Sequence, residues 1–334
     1  MMQQENIDIV ITWVDGNDPV HKSKKNLYLT GKNETSHDDI AGAARYSSTG
    51  EIFYCIASIL RYAPWVHKIY IVTDNQDPHV NEFVAQNFPE NKIPIEIVDH
   101  KVIFRGYEQY LPTFNSISIE QMLWRIPGLS ENFLYFNDDI FLASENKRSD
   151  WFHDKKTILY AERFNVLFAA FLRWAKHLLQ KHKTFGHKDP MLNAAHIMKS
   201  NFFLLHSHGP LPMNRLWHEK FYTENPDLLV ANIKHRFRDP SQFSSLACYY
   251  IDAYHKGLLD VRPTKGICSF LKPYAHKRGY MARKIAEMQS NDKLMFGCIN
   301  SLSETTEDEQ ALFHQWICKQ LNVRVESNNN IATT

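Results

Sequence analysis

The sequence predicts an α/β protein built on a mostly parallel, Rossmann-like sheet, with a helical subdomain contributed by the second half of the chain. Three observations predict it. Short, near-continuous apolar runs alternate with helix-patterned segments through the first 140 residues, as parallel strands buried on both faces require. Each of those runs ends in an acidic residue or acidic turn. Beyond about residue 150, helical periodicity dominates, roughly over 155–182, 212–223 and 241–256.

The first strand is the β-branched run from Ile7 to Val14, stopped by the turn Asp15-Gly16-Asn17-Asp18-Pro19. The Lys-rich polar stretch after it, to about residue 40, reads as a loop or lid. Ser48-Thr49-Gly50-Glu51 has the form of a capping box. The helix it opens puts Ile52, Cys55, Ile56, Ile59 and Leu60 on one face, and Pro64 stops it. A second strand covers 68–74 and ends at Asp74; a short helix near 79–88 leads to a third strand, 93–99, ending at Asp99. Ser118 is placed to cap a helix carrying Met122, Leu123 and Ile126, closed by Pro127-Gly128. The fourth strand, Phe133-Leu134-Tyr135-Phe136, runs into Asn137-Asp138-Asp139, and Ser241 is available to cap the helix over 241–256.

Composition narrows the function. The 334 residues carry 38 Lys+Arg against 37 Asp+Glu, a net charge of +1, which argues against a general nucleic-acid binder. An apolar fraction of 44% supports a packed core and argues against disorder. The polar tail after Val325 is the exception. Cys55, Cys248, Cys268, Cys298 and Cys318 are odd in number, widely spaced and without a Cys-x-x-Cys pair, which suits free thiols in a reducing cytoplasm. No N-terminal segment resembles a secretory signal. The apolar stretch Val166 to Leu179 is broken by Arg173, Lys176 and His177 and is too short to span a membrane; a core-facing amphipathic helix is the expected reading.

In open α/β sheets, ligands bind beyond the carboxyl ends of the strands, so Asp15, Asp74, Asp99, Asp138 and Asp139 define an acidic rim. Asp is also a good turn residue, and for Asp74 and Asp99 the two readings weigh equally. Asp138 and Asp139 follow an aromatic strand and supply hard oxygen ligands, which suit Mg2+ or Mn2+ bridging a diphosphate. His206-Ser207-His208-Gly209-Pro210 offers a general base for an acceptor hydroxyl, with His206 read as a structural imidazole bonded to a carbonyl. A zinc site there lacks further ligands at metal spacing. Lys234-His235-Arg236-Phe237-Arg238-Asp239 is a dense basic segment that can be a solvated face or an anion site, and Arg45 is equally ambiguous. These features fit metal-assisted chemistry on a phosphorylated substrate such as a nucleotide-sugar. They do not choose the reaction.

Several stretches resemble the Stealth family, which includes bacterial capsular polysaccharide phosphotransferases and the animal N-acetylglucosamine-1-phosphotransferase. They are Ile7 to Gly16; a long block from Arg45 to Phe141 that includes Arg61-Tyr62-Ala63-Pro64-Trp65-Val66, Leu111-Pro112-Thr113-Phe114-Asn115-Ser116 and Asn137-Asp138-Asp139; then His208-Gly209-Pro210, Arg236-Phe237-Arg238 and Phe296-Gly297-Cys298-Ile299-Asn300. The resemblance implies a nucleotide-sugar-transferase type of fold. It also implies transfer of a hexose- or hexosamine-1-phosphate from a UDP-sugar to an acceptor sugar hydroxyl, with UMP released. Matching positions imply catalytic roles for Asp8, Glu120, Asp139, His208 and Arg238, substrate contacts from Trp13, Asp15, Gly16, Arg45, Asp74, Asn115 and Arg236, and Mg2+ or Mn2+ on Asp138 and Asp139.

The expected division is 1–150 for the nucleotide-sugar-binding part, 151–305 for a helical acceptor-side part, and 306–334 for a C-terminal helix and polar tail. The implied partners are a UDP-sugar donor and an oligo- or polysaccharide acceptor, with no nucleic acid. The implied setting is the cytoplasm, with a peripheral place on the inner face of the membrane beside other capsule-synthesis proteins left open. An ordinary metal-dependent glycosyltransferase releasing UDP is the competing reading. The chain departs from the family pattern at Leu211, where a second His is common, at Gln242, where an Asp is expected, and at Ser301 after Asn300.

Overall fold

The computed structural model describes residues 5–29, 50–171, 186, 188–272 and 279–325. Arg45, Ser48, Thr49, residues 30–40 of the Lys-rich stretch, residues 172–185 and the tail from 326 lie outside the described residues.

The central sheet is as the apolar runs predict. β1 (Ile7–Thr12), β2 (Ile69–Thr73), β3 (Ile95–Asp99) and β4 (Asn132–Asn137) are mutually parallel in the order β3-β2-β1-β4. The order reverses beside β1, so a crevice opens between the carboxyl ends of β1 and β4, where Thr12 is in register with Asn137. Along β1, Ile7, Ile9 and Ile11 enter one core and Val10 enters the other, so both faces are covered. The first core also takes in α2 (Glu51–Tyr62) and a C-terminal helix, Glu307–Leu321; the second takes in much of residues 159–259.

Connections before β4 differ from expectation in three places. Part of the Lys-rich stretch is helical: α1 (Pro19–Leu29) starts at Asp18, whose carboxylate accepts from the Val20 and His21 amides at 2.6 and 3.0 Å. The N-cap of α2 is Gly50 at φ 91°, a left-handed conformation open to glycine, which has no side chain to cap the helix. Asn115, not Ser118, caps a short helix (Ser116–Glu120), and Met122 and Leu123 fill the core from a turn beyond it.

The second half contains more strand than periodicity predicts. Residues 156–165 are not helical but form β7 (Lys156–Asn165), held antiparallel to β8 (Phe202–His206) and parallel to β10 (Leu259–Arg262). β5 (Ile140–Leu142) follows β4 and β6 (Phe152–His153) precedes β7. Residues 166–171 are helical and two-faced: Val166 is buried in the second core and Ala169 packs against it, as a core-facing amphipathic helix requires, while Leu167, Phe168 and Phe171 are exposed at 78, 57 and 58%. Among the described residues no helix is long and apolar enough to cross a membrane.

Helices Arg215–Glu224 and Ser245–His255 match the other two helical segments within a few residues, although the second is capped by Ser244 instead of Ser241. Two additions matter for the site. β9 (Leu211–Asn214) joins the central sheet antiparallel to β4, with Leu211 opposite Tyr135, which carries the preceding His208-Gly209-Pro210 to the carboxyl rim. β11 (Cys268–Leu271) and β12 (Phe296–Ile299) form a separate sheet with β5, which leaves the rim directly after Asp139.

Candidate active site

The mouth of the β1–β4 crevice is organised by Tyr135. Its hydroxyl donates to Asn137 Oδ1 at 2.8 Å and lies 3.1 Å from Thr12 Oγ1, tying the two strand ends together. Burial pushes the phenol pKa up, as do the nearby charges of Glu120 and Asp138, while Arg238 opposes them. This hydroxyl stays protonated and marks where acidic and basic elements meet.

Asp138 and Asp139 form the turn from β4 into β5. Burial raises the pKa of Asp138 well above the usual carboxylate range, reinforced by the charges of Asp139 and of Glu51 in the first turn of α2. Burial lifts Asp139 to about 6; the Cys298 hydrogen bond and the nearby Asn300 side chain lower it and Glu51 raises it. The Cys298 thiol lies 3.3 Å from Asp139 Oδ2, whereas the buried Asp139 Oδ1 has no hydrogen-bond partner among the described residues. Buried carboxylates that repel one another are short of positive charge. Among the described residues no three or more His, Cys, Asp or Glu side chains form a group able to hold a metal ion. Mg2+ is commonly bound by one or two carboxylates together with substrate phosphates and water, and the pair fits that pattern.

The basic segment reaches the same rim from the other side. Arg238 Nη2 donates to Ser116 Oγ at 2.8 Å, close to Glu120. Burial raises Glu120 to about 7, offset by a hydrogen bond from Ser244 and by the charge of Arg238. The segment is anchored by a buried pair of amides. Asn115 Nδ2 donates to the His235 and Phe237 carbonyls and to Gln242 Oε1, and its Oδ1 accepts from the Ile117 amide. Gln242 Nε2 donates to Ser118 Oγ and the Asn232 carbonyl. An aspartate at 242 has no such donor, which gives the departure from the family pattern a physical sense. Asn115 is 0% exposed with its side chain engaged by these internal bonds, a placement that anchors the Arg238 segment.

Arg236 is also tied down, donating to the Gln109 and Leu111 carbonyls and lying 4.6 Å over the Tyr28 ring. Beside it is a pocket of about 240 Å3 lined by Tyr28, Lys234, His235, Arg236, Arg238 and Asp239.

His208 stacks on Phe270 at 4.1 Å and 7°. Burial, then the charge of Lys272, lowers its pKa, which favours the neutral imidazole that a base requires. Gly209 next to it is obligatory, because a Cβ there would overlap the Phe296 ring. Phe270 is in register with Cys298 on the neighbouring strand, so their side chains share one face, about 4.8 Å apart from strand to strand. His208 rests on one and Asp139 on the other. His206 bonds the Ser207 carbonyl at 3.2 Å, as expected of a structural imidazole.

The remaining expected site residues are elsewhere or otherwise engaged. Asp8 is fully buried near the amino end of β1, 2.8 Å from His67 Nδ1 and 2.7 Å from the Ser130 amide. Four residues of strand, roughly 13 Å, separate it from Thr12. It is an anchor at the opposite end of the sheet, and the catalytic role implied for it is not supported by this placement. Asp15 accepts from the Asn17 amide within its turn, and Asp74 pairs with Lys24 of α1 at 2.9 Å. Asp99 caps the helical turn His100–Ile103. The Trp13 amide donates to the Val72 carbonyl, its ring packs partly buried on the core, and Gly16 lies in the following turn. The acidic rim thus narrows to Asp138 and Asp139, joined by Glu51. Tyr135, Glu51 and Cys298 were not legible as candidate site residues: the sequence marked Tyr135 as strand, Glu51 as part of a capping box and Cys298 only as a free thiol within a family-like stretch. All five cysteines are free thiols.

Fold and rim together define a mostly parallel α/β protein whose candidate site lies at the strand-order switch point. Comparison with known proteins gives the family. Residues 5–32 match Stealth protein CR1, conserved region 1, and residues 45–159 match Stealth protein CR2, conserved region 2. The capsular polysaccharide phosphotransferase fcs1 of Haemophilus influenzae is 30% identical over 318 residues, covering 90% of this chain and 79% of that protein. The capsular polysaccharide phosphotransferase cps1A of Actinobacillus pleuropneumoniae is 42% identical over 151 residues, 45% of this chain, and the match spans only 39% of that relative's length. Among solved structures, the galactosyltransferase LgtC aligns over 96% of this chain and 98% of its own, at 12% identity and a TM-score of 0.49. The chain belongs to the Stealth family.

Proposed function

We propose that the protein transfers a hexose- or hexosamine-1-phosphate from a UDP-sugar to a hydroxyl of an oligo- or polysaccharide acceptor, forming a phosphodiester and releasing UMP, in capsular or surface polysaccharide synthesis. The observation that carries this reading is the meeting of opposed groups around Tyr135 at one crevice: the repelling Asp138–Asp139 pair on one side and Arg238 with Glu120 on the other, with the buried His208 connected to Asp139 through Phe270 and Cys298. The names of the family relatives support the reaction class.

In the mechanism, the donor's diphosphate occupies the mouth between β1 and β4. Asp138 and Asp139 would hold a divalent cation, Mg2+ or Mn2+, which when bound would neutralise charge on the phosphate oxygens. His208 takes the proton of the acceptor hydroxyl as its oxygen attacks the sugar-bearing phosphorus in line. The bond from that phosphorus to the bridging oxygen breaks, and UMP leaves with the electron pair. Arg238 stabilises negative charge on the transferring phosphoryl group, and Glu120 holds Arg238 in place electrostatically. The reading sets this chemistry in the cytoplasm and leaves open a peripheral place on the inner face of the membrane beside other capsule-synthesis proteins.

The nucleotide product tests it. Purified protein, a panel of UDP-hexoses and UDP-hexosamines, and an oligosaccharide acceptor are expected to yield UMP in step with product. UDP as the sole nucleotide would instead indicate attack at the anomeric carbon and a glycosyltransferase.

A further inference from the structure

We propose that Cys298 is a positioning residue: its thiol holds Asp139 Oδ2 and thereby presents Asp139 Oδ1 to the cation and diphosphate in the crevice. This rests on the cation reading of Asp138 and Asp139 given above and adds the device by which the chain aims one of them.

β12 grips Asp139 twice. The Ile299 amide donates to the Asp139 carbonyl at 2.9 Å, and the Cys298 thiol is directed at Oδ2 at 3.3 Å. Cys298 is 1% exposed on the middle strand of its sheet, in register with Ile140 on one side and Phe270 on the other. The strand has little freedom to shift, because at Gly297 a Cβ would overlap the Phe141 ring. With Oδ2 engaged, Oδ1 is the buried oxygen left without a hydrogen-bond partner among the described residues. A thiol is a weak donor, so it fixes the carboxylate's orientation without neutralising the charge that draws a cation. A stronger, charged donor here would compete with the metal. Groups that orient a metal ligand in this way are worth about 10- to 100-fold in metal affinity.

The test measures Mn2+ binding to the full chain in the presence of UDP, by the electron paramagnetic resonance signal of free Mn2+, alongside the melting temperature. Cys298→Ala is expected to weaken Mn2+ binding about tenfold, while Cys298→Ser, which keeps a hydroxyl donor, retains most of the affinity. Cys248→Ala, which removes a buried thiol from the other core, is expected to leave Mn2+ binding unchanged. If Cys298→Ala fails to fold, Cys298→Val fills the space without a donor and serves the same comparison. Wild-type affinity in the Ala or Val variant overturns the proposal, as does a Ser variant that loses as much as Ala. A wild-type protein that binds no Mn2+ with UDP refutes the cation reading itself and this inference with it, which separates the two failures.

Discussion

Asp139→Asn is expected to slow transfer about a hundred- to a thousandfold while making the folded protein more stable in cation-free buffer at neutral pH. The loss of activity follows from removing a charge at the reacting diphosphate, where single electrostatic contributions are worth about a hundred- to a thousandfold in rate. The gain in stability follows from linkage. Burial lifts the Asp139 pKa to about 6, above the ordinary 3.8, so the fold favours the protonated form. Stability from this group is fully present below the unfolded pKa and is lost as pH rises through the folded one, between about 4 and 6. At pH 7 the charged carboxylate is a liability that Asn removes. A shift of this size corresponds to about 3 kcal/mol at full burial, and partial exposure brings the expected gain to about 1–2 kcal/mol. Denaturant titration of both proteins at pH 4 and pH 7.5 checks the sign. A variant less stable than wild type at pH 7.5 would contradict the placement of Asp139 as an uncompensated charge.

His208→Ala is expected to lower kcat by about a hundred- to a thousandfold, with Mn2+ binding and melting temperature near those of wild type. The pH profile carries further information. Burial and Lys272 lower the His208 pKa from its ordinary value of 6.5, so the base is already neutral at pH 7 and the acid limb of kcat/KM lies below 6.5. Glu120, raised to about 7, would give a limb near pH 7 if it were the base. A limb centred there that disappears in Glu120→Gln, with His208→Ala retaining most of its turnover, would transfer the role to Glu120.

The sheet was legible because parallel strands covered on both faces must be apolar almost throughout, and the runs ending at Asp15, Asp74, Asp99 and Asp138 are. β7 was not. Leu159, Ala161, Glu162 and Arg163 favour helix locally, and the segment is extended because β8 and β10, distant in sequence, pair with it. The site was partly legible. Of the candidate site, Asp138 and Asp139 were nominated by an acidic pair after an aromatic strand, and the basic segment by charge density. Family resemblance brought in Glu120, which the fold puts beside Arg238, and also Asp8 and Asn115, which it uses for anchoring. Cys298 reaches Asp139 from 159 residues away, through strand pairing that no local pattern encodes. The near-zero net charge concealed two opposed features, the Asp138–Asp139–Glu51 cluster and the Arg236–Arg238 segment.

The central claim is that the acceptor attacks the sugar-bearing phosphorus, and the fate of that phosphorus tests it most directly. With a UDP-sugar labelled with 32P at the sugar-bearing phosphate, the label is expected to enter the saccharide product in a linkage resistant to phosphatase. Label remaining wholly in free UDP while sugar enters the product would contradict the account.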